Sequence, residues 1–153
     1  MRLEIGQQAP PFSGLDQDAN EVTSADYNGR RLVMYFYPKA FTPGCTTEAC
    51  DFRDRYQVFA EAGYAIVGVS PDAPTDLARF REEHELPFPL ISDPDHAIAE
   101  SFGAWGTKKN YGREYEGLIR STIVVGENGA VEAAWYNVRA KGHADRVAES
   151  VVR

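Results

Sequence analysis

The sequence contains two cysteines, Cys45 and Cys50, which are its strongest candidates for covalent chemistry. A strand-like run over residues 32–37 precedes them, Pro43 and Gly44 interrupt that run, and a helix-period pattern follows. The sequence therefore predicts that Cys45 lies where a strand turns into a helix. A thiol in that position is a candidate nucleophile.

The start of this predicted helix favours the ionised form of a thiol. With Thr42 as the N-cap and Pro43 at the first helical position, Cys45 takes the third position. Unpaired backbone amides and the positive end of the helix dipole stabilise an anion there. Because the thiolate is the nucleophilic form of cysteine, this placement predicts a reactive Cys45.

Apolar residues continue the helix beyond the cysteines and predict that it packs against a sheet and ends at Gly63. They recur at steps of three and four residues: Ala49, Phe52, Tyr56, Phe59 and Ala60. On such a helix Cys50 lies about 140° around the axis from Cys45, and their Cα atoms are roughly 8.7 Å apart. A disulfide needs a separation below about 7 Å. The first turns must therefore unwind before the two cysteines can pair.

Length and composition are those of one globular domain spanning residues 1–153. Apolar residues make up 43% of the chain, and its net charge of −7 argues against a nucleic-acid or anionic-membrane partner. No apolar run is long enough to cross a bilayer, and the first residues contain no hydrophobic signal core. Two cysteines in such a chain predict a reducing, cytoplasmic location, where cysteine pairs are more often catalytic or metal-binding than structural.

The order of predicted elements indicates an α/β fold with a mixed central sheet and helices on both faces, which is a thioredoxin-like architecture. Residues 104–118 are predicted as loop, because their aromatic residues lie among glycines and charges without a regular period. The other predicted elements are a small hairpin over 12–23, strands 32–37, 64–70 and 89–92, the cysteine helix, helices over 74–85 and 93–103, a hairpin of 121–125 with 131–136, and a last helix from His143.

The pattern Pro38-x-x-x-Thr42-x-x-Cys45 resembles the peroxiredoxin signature. The segment from Thr42 to Cys50, with its five-residue cysteine step, resembles the peroxiredoxin Q branch, also called bacterioferritin comigratory protein. Further motifs occur in the order that this branch shows: Gly103-Ala104-Trp105-Gly106, Tyr111-Gly112, Arg120-Ser121-Thr122 and Lys141-Gly142-His143. The resemblance therefore extends over nearly the whole chain.

The resemblance implies a role for each matching residue. Cys45 would be the peroxidatic cysteine and Cys50 the resolving cysteine. Thr42 would bond to peroxide and thiolate, Arg120 would be the cation beside them, and Pro38 would shield the thiolate from water. The substrate contacts expected on this basis are Pro38, Phe41, Thr42, Gly44 and Arg120.

The chain departs from the branch at Ala40-Phe41, where polar residues commonly precede the Thr-Pro-Gly-Cys run. Phe41 makes the mouth of the expected pocket more apolar. Larger organic hydroperoxides would gain a contact there that hydrogen peroxide cannot make.

The predicted function is that of a thiol peroxidase for hydrogen peroxide and small organic hydroperoxides. Cys45 would become a sulfenic acid, Cys50 would condense with it, and thioredoxin or a similar dithiol would reduce the disulfide. No metal, haem or flavin is needed for this chemistry, and a monomer is expected.

Two other redox functions and one metal site are alternatives. A disulfide oxidoreductase of the thioredoxin type normally has a Cys-x-x-Cys step, so the longer spacing argues against it. A redox sensor or holdase would use the same cysteine switch without turnover. Zinc binding is disfavoured because there is no second cysteine pair and the three histidines are scattered: His84, His96 and His143.

Some of the named residues also have a simpler interpretation. Arg120 alone would be assigned to solvent or a surface ion pair, and only the resemblance selects it from 16 Lys and Arg. Thr42 is by default a helix cap. His84 is expected to be a satisfied residue at the edge of a helical face, and His143 to belong to the start of the last helix.

Overall fold

A computed structural model describes residues 2–151, except for the side chain of Asn110. Within that part of the chain the strands are β1 (Ser13–Asp16), β2 (Glu21–Thr23), β3 (Arg31–Phe36), β4 (Tyr64–Ser70), β5 (Leu90–Ser92), β6 (Trp105–Asn110), β7 (Arg113–Leu118), β8 (Ser121–Val125) and β9 (Val131–Tyr136). The α-helices are α1 (Pro43–Asp54), α2 (Tyr56–Glu61), α3 (Pro74–Glu83), α4 (Ala97–Ser101) and α5 (His143–Val151), with a 3-10 helix at Ser24–Tyr27.

In the described residues, seven strands form one mixed sheet in the order β2-β1-β5-β4-β3-β8-β9. β3, β4 and β5 are parallel, while β1 and β8 pair antiparallel on either side of them. β3 pairs with β4 from Arg31 opposite Tyr64 to Phe36 opposite Val69. The carboxyl ends of these parallel strands define the edge from which the chain enters α1.

Alternation along β3 divides the core between the two faces of the sheet, as the period of a strand requires. Val33 and Tyr35 pack into the core that α1, α2, α3 and α5 cover. Met34 and Phe36 pack into the core on the other face, which α4 covers. The predicted mixed sheet with helices on both faces is confirmed.

The cysteine helix is shorter than predicted. α1 ends at Asp54, and α2 begins at Tyr56 after Arg55 adopts φ −101° and ψ 2°. No proline or glycine marks this break, so the apolar period does not show it. Ala60, which the predicted stripe placed against the sheet, is exposed.

The loop prediction for residues 104–118 is wrong. β6 and β7 pair antiparallel from Trp105 opposite Leu118 to Asn110 opposite Arg113. The turn between them uses Tyr111 and Gly112, both with positive φ, as a tight hairpin requires. The first four residues of β7 are exposed, and for that reason the sequence has no apolar alternation to indicate a strand.

The helix predicted over 93–103 is also shorter. α4 begins at Ala97, and the Asp93 carboxylate accepts hydrogen bonds from the amides of Ile98 and Ala99 at 3.1 and 2.9 Å. Asp93 therefore caps the helix from a position before it. Across residues 2–151, no helix combines the length and the apolar character needed to cross a bilayer.

Candidate active site

The loop after β3 brings Cys45 to the start of α1. The Tyr37 amide bonds to the carbonyl of Val69 at 3.0 Å and extends the β3–β4 pairing, and the first helical bond joins the Thr46 amide to the carbonyl of Thr42 at 2.9 Å. Cys45 is the third residue of α1, as predicted, and only 1% exposed. Its sulfur is therefore held at the positive end of the helix and shielded from bulk water.

Arg120 lies beside this sulfur. Its Nη2 donates to the Sγ of Cys45 at 3.2 Å. The residue lies between β7 and β8, and the amide of Val138 bonds to its carbonyl at 3.0 Å, which fixes the backbone. The structure thus brings together two of the predicted site residues that are 75 positions apart in the chain.

Glu48 shares the same guanidinium and was not predicted. Its Oε1 accepts from Nη1 of Arg120, while its Oε2 is buried without a hydrogen-bond partner in the described part of the molecule. Burial raises the pKa of Glu48 to about 7 even though Arg120 opposes that shift. One cation therefore faces two groups, Glu48 and Cys45, each of which can be negative.

The Glu48 side chain could have been noticed from its spacing. It lies three residues after Cys45, so the two share a helix face. A glutamate at this spacing is usually an exposed residue of the helix. The sequence therefore gives no reason to select Glu48 until its contact with Arg120 is known.

Thr42 occupies the N-cap position, but its side chain does not cap the helix. Its hydroxyl instead donates to the carbonyl of Lys39 at 2.8 Å. The expected capping bond is wrong, because the hydroxyl turns back toward its own loop. This orientation leaves the lone pairs of the oxygen available to accept a bond.

Asp72, a second residue that sequence reasoning missed, fixes the loop in front of Cys45. One oxygen of its carboxylate, Oδ2, accepts from the amide of Ala40 and the hydroxyl of Ser70, both at 2.7 Å. Its carbonyl accepts from the hydroxyl of Ser92 at 2.6 Å. The loop is therefore tied to the carboxyl ends of β4 and β5.

Phe41 lies at the outer end of this loop and is 39% exposed. Its backbone has φ 68°, a left-handed conformation that costs an L residue about 1 kcal/mol. The ring packs edge-on against Phe80 at 5.2 Å, and the guanidinium of Arg79 lies 5.1 Å above it. Phe41 thus presents an apolar surface next to the site.

Pro38 and Gly44 complete the set of predicted contacts. Pro38 is half-buried in the loop. A Cβ on Gly44 would lie 3.4 Å from Nη2 of Arg120, in ordinary van der Waals contact, so Gly44 lies directly beside the guanidinium.

Cys50 is separated from Cys45 in the structure. Both cysteines are free thiols in the intact helix α1, and Cys50 is half-buried. Its sulfur lies 3.8 Å from Nδ1 of His84. Because the observed helix is intact, unwinding before the cysteines pair stays a prediction. His84 has a thiol partner that the sequence does not indicate.

His143 begins α5 as predicted and is fully buried. Its Nε2 lies 2.7 Å from the hydroxyl of Thr122. Burial, with help from Arg146 and Arg120, lowers the pKa of His143 to about 4. This imidazole is therefore neutral at physiological pH and belongs to the packing beneath the site.

The chain matches known proteins over most of its length. The model of the AhpC/TSA family matches residues 5–134. Peroxiredoxin Bcp of Bacillus subtilis is 47% identical over 143 residues, which cover 94% of this chain and 91% of the relative.

Solved structures agree with this relationship. Peroxiredoxin Q of Xanthomonas campestris superimposes with a TM-score of 0.86 at 37% identity, covering 92% of this chain and 89% of that one. The bacterioferritin comigratory protein of Xanthomonas campestris gives a TM-score of 0.89 at 34% identity and covers 97% of both chains. The chain therefore belongs to the AhpC/TSA family, in the Bcp or peroxiredoxin Q branch of the thiol-dependent peroxidases.

Proposed function

We propose that this peroxidase reduces hydrogen peroxide and organic hydroperoxides with Cys45 as the attacking thiolate. The observation that carries the proposal is the contact between Nη2 of Arg120 and Sγ of Cys45 at the start of α1. A fixed positive charge and a helix N-terminus both favour the anionic form of a thiol over the neutral one.

The first step joins the Cys45 sulfur to the distal oxygen of the peroxide and breaks the O–O bond. Cys45 becomes a sulfenic acid, and the released alkoxide or hydroxide takes up a proton to give alcohol or water. Arg120 and the amides of the helix start stabilise the negative charge on the leaving oxygen, and they are in place before the reaction begins. Glu48 orients the guanidinium for this purpose through Nη1.

Besides Arg120, four residues are assigned as substrate contacts. The Thr42 hydroxyl oxygen accepts a hydrogen bond from the peroxide O–H, since its own O–H donates to the carbonyl of Lys39. Pro38 and the Gly44 backbone border the peroxide. Phe41 offers its exposed ring to the alkyl part of an organic hydroperoxide. The related Xanthomonas campestris protein has alkyl peroxide reduction activity, which supports this assignment.

The second step forms a disulfide between Cys45 and Cys50 with release of water, after α1 unwinds. A dithiol reductant, of which thioredoxin is the proposed example, then restores both thiols. We further propose that the protein acts as a monomer in the cytoplasm. Analytical ultracentrifugation of the reduced and oxidised forms checks the oligomeric state.

Peroxide consumption coupled to NADPH through thioredoxin and its reductase tests the function directly. The wild type is expected to turn over, and Cys45→Ser to be inactive. A Cys45→Ser variant with wild-type turnover would contradict the role of Cys45. A wild type without turnover would contradict the proposed activity and would favour a non-catalytic redox sensor or a disulfide oxidoreductase.

A further inference from the structure

The region around Cys50 contains an acid-base group that the peroxidase chemistry above does not use. His84 follows the last turn of α3, and its Nδ1 lies 3.8 Å from the sulfur of Cys50. Both side chains are half-buried, so the contact is neither sealed in the core nor free in solvent. At this distance a thiol can donate to a neutral imidazole.

A second contact holds the two helices together at this point. Nη1 of Arg53, one turn after Cys50, donates to the carbonyl of His84 at 2.8 Å. The imidazole itself packs edge-on against the ring of Phe80 at 5.1 Å. His84 is therefore fixed from α1 and from its own helix, and its ring is directed at Cys50.

The contact between Arg53 and the His84 backbone lies outside the segment that disulfide formation must unwind. The turns that must open extend from Pro43 to Cys50, and Arg53 lies beyond them. Cys50 is at the end of the opening segment next to this anchor, while Cys45 is near the end that continues into the loop held by Asp72. For the bond to form beside His84, Cys45 must travel toward Cys50.

We propose that His84 is a catalytic residue of the resolving step, acting as general base and then general acid. The proposal rests on the proposed function, since it needs a sulfenic acid on Cys45. Neutral His84 takes the thiol proton of Cys50 through Nδ1 as the Cys50 sulfur attacks the Cys45 sulfur. The S–S bond forms, the S–O bond breaks, and the proton passes from His84 to the departing hydroxide, which leaves as water.

The charged groups around this pair come from α1 and from the segment after α3. Arg53 and its partner Asp54 belong to α1, and Glu85 follows His84 in the chain. These charged groups are unchanged when only His84 is substituted. The effect of the substitution therefore reports the proton transfer by the imidazole.

A single-turnover experiment on the full-length protein tests this role. Reduced protein is mixed with one equivalent of hydrogen peroxide and quenched at intervals with reagents specific for thiols and for sulfenic acids. His84→Asn keeps a hydrogen-bond acceptor near the position of Nδ1 but cannot exchange a proton. His96→Asn is the matched control, since His96 is half-buried in a left-handed conformation that asparagine accepts.

The expected result separates the two steps. His84→Asn should consume peroxide in the first step at the wild-type rate, while its sulfenic acid persists about tenfold longer or more near neutral pH. The difference should narrow at alkaline pH, where hydroxide can take the thiol proton in place of His84. His96→Asn should match the wild type throughout. Should the asparagine variant be unstable, His84→Gln repeats the test.

Three outcomes would overturn the assignment. Disulfide formation in His84→Asn at the wild-type rate or faster would mean that His84 at most holds Cys50 in the helix. Equal slowing at every pH would assign it a structural role, and slowing of both steps would mean that the whole site is disturbed. Failure of the proposed function can be distinguished from failure of the role of His84. In that case the wild type itself would form no sulfenic acid, which would contradict both proposals.

Discussion

The two cysteines of α1 lie in contrasting environments. Cys45 is buried at the helix start beside Arg120, a permanent cation that also holds the carboxylate of Glu48. Cys50 is half-buried beside His84, a group that can take up and release a proton. The comparison shows that the surroundings of a cysteine, and not its residue type alone, decide its role. The first environment suits stabilisation of an anion, and the second suits transfer of a proton.

Removing each sulfur in turn should have the largest effect and should separate the two roles. Cys45→Ser loses the nucleophile and should consume no peroxide. Cys50→Ser should consume about one peroxide per chain and then stop as a sulfenic acid, unless a small thiol reduces it. Peroxide loss measured without a reductant gives the stoichiometry. Equal consumption by both variants would remove the distinction.

Removing the cation of the first environment should slow the first step. Arg120→Met leaves the developing charge without its side-chain donor, and the rate of Cys45 oxidation should fall about 100-fold or more. Stopped-flow measurement of that step checks it. Arg139→Met, which changes an exposed arginine after β9, is the control and should leave the rate unchanged. A rate for Arg120→Met close to that of the control would show that Arg120 is not needed.

Oxidation should open the first turns of α1, which carry both cysteines, and leave the rest of the helix folded. Amide hydrogen exchange should show lost protection over residues 43–51 in the disulfide form. Protection should persist from Phe52, whose ring stacks on Tyr35 at 4.7 Å. Unchanged protection over 43–51, with the intramolecular disulfide confirmed by mass, would mean that the bond forms without unwinding.

The buried carboxyl of the first environment should make a smaller contribution, visible in the pH dependence of stability. Burial raises the pKa of Glu48 from 4.5 to about 7, so the folded state binds more protons than the unfolded state between these values. Stability from this group is therefore lost as pH rises through that window. Glu48→Gln should lack this loss, which amounts to roughly 1 to 3 kcal/mol between pH 5 and 7.5.

Chemical denaturation at the two pH values measures this difference. Glu149→Gln, in which an exposed carboxyl of α5 is removed, should keep the wild-type dependence. The same change with pH in wild type and Glu48→Gln would show that Glu48 is ionised in the fold as it is in the unfolded chain.

The sequence predicts the elements that have a clear period, and it places Cys45 correctly. β3 after Arg31 and β4 before Ser70 are apolar because both faces of the sheet are covered, and Gly63 has the positive φ expected after a helix. The β6–β7 hairpin escapes prediction because much of its surface is exposed, so its residues are not sorted by burial.

The site is less predictable because its contacts join distant parts of the chain. Arg120 is 72 positions from Glu48, and His84 is 34 from Cys50. A helical glutamate or histidine has no distinguishing pattern until the partner is known. Arg120 itself was found through family resemblance, whereas Glu48, Asp72 and the role of His84 required the structure.

The order of events on the two sulfurs tests the central claim most directly. Wild-type protein is mixed with one equivalent of peroxide, quenched over time and analysed by peptide mass. The account predicts that one oxygen atom appears first on the Cys45 peptide and that an intramolecular disulfide with Cys50 replaces it. Oxygen appearing first on Cys50, or a stable Cys45 sulfenic acid that never pairs with Cys50, would contradict it.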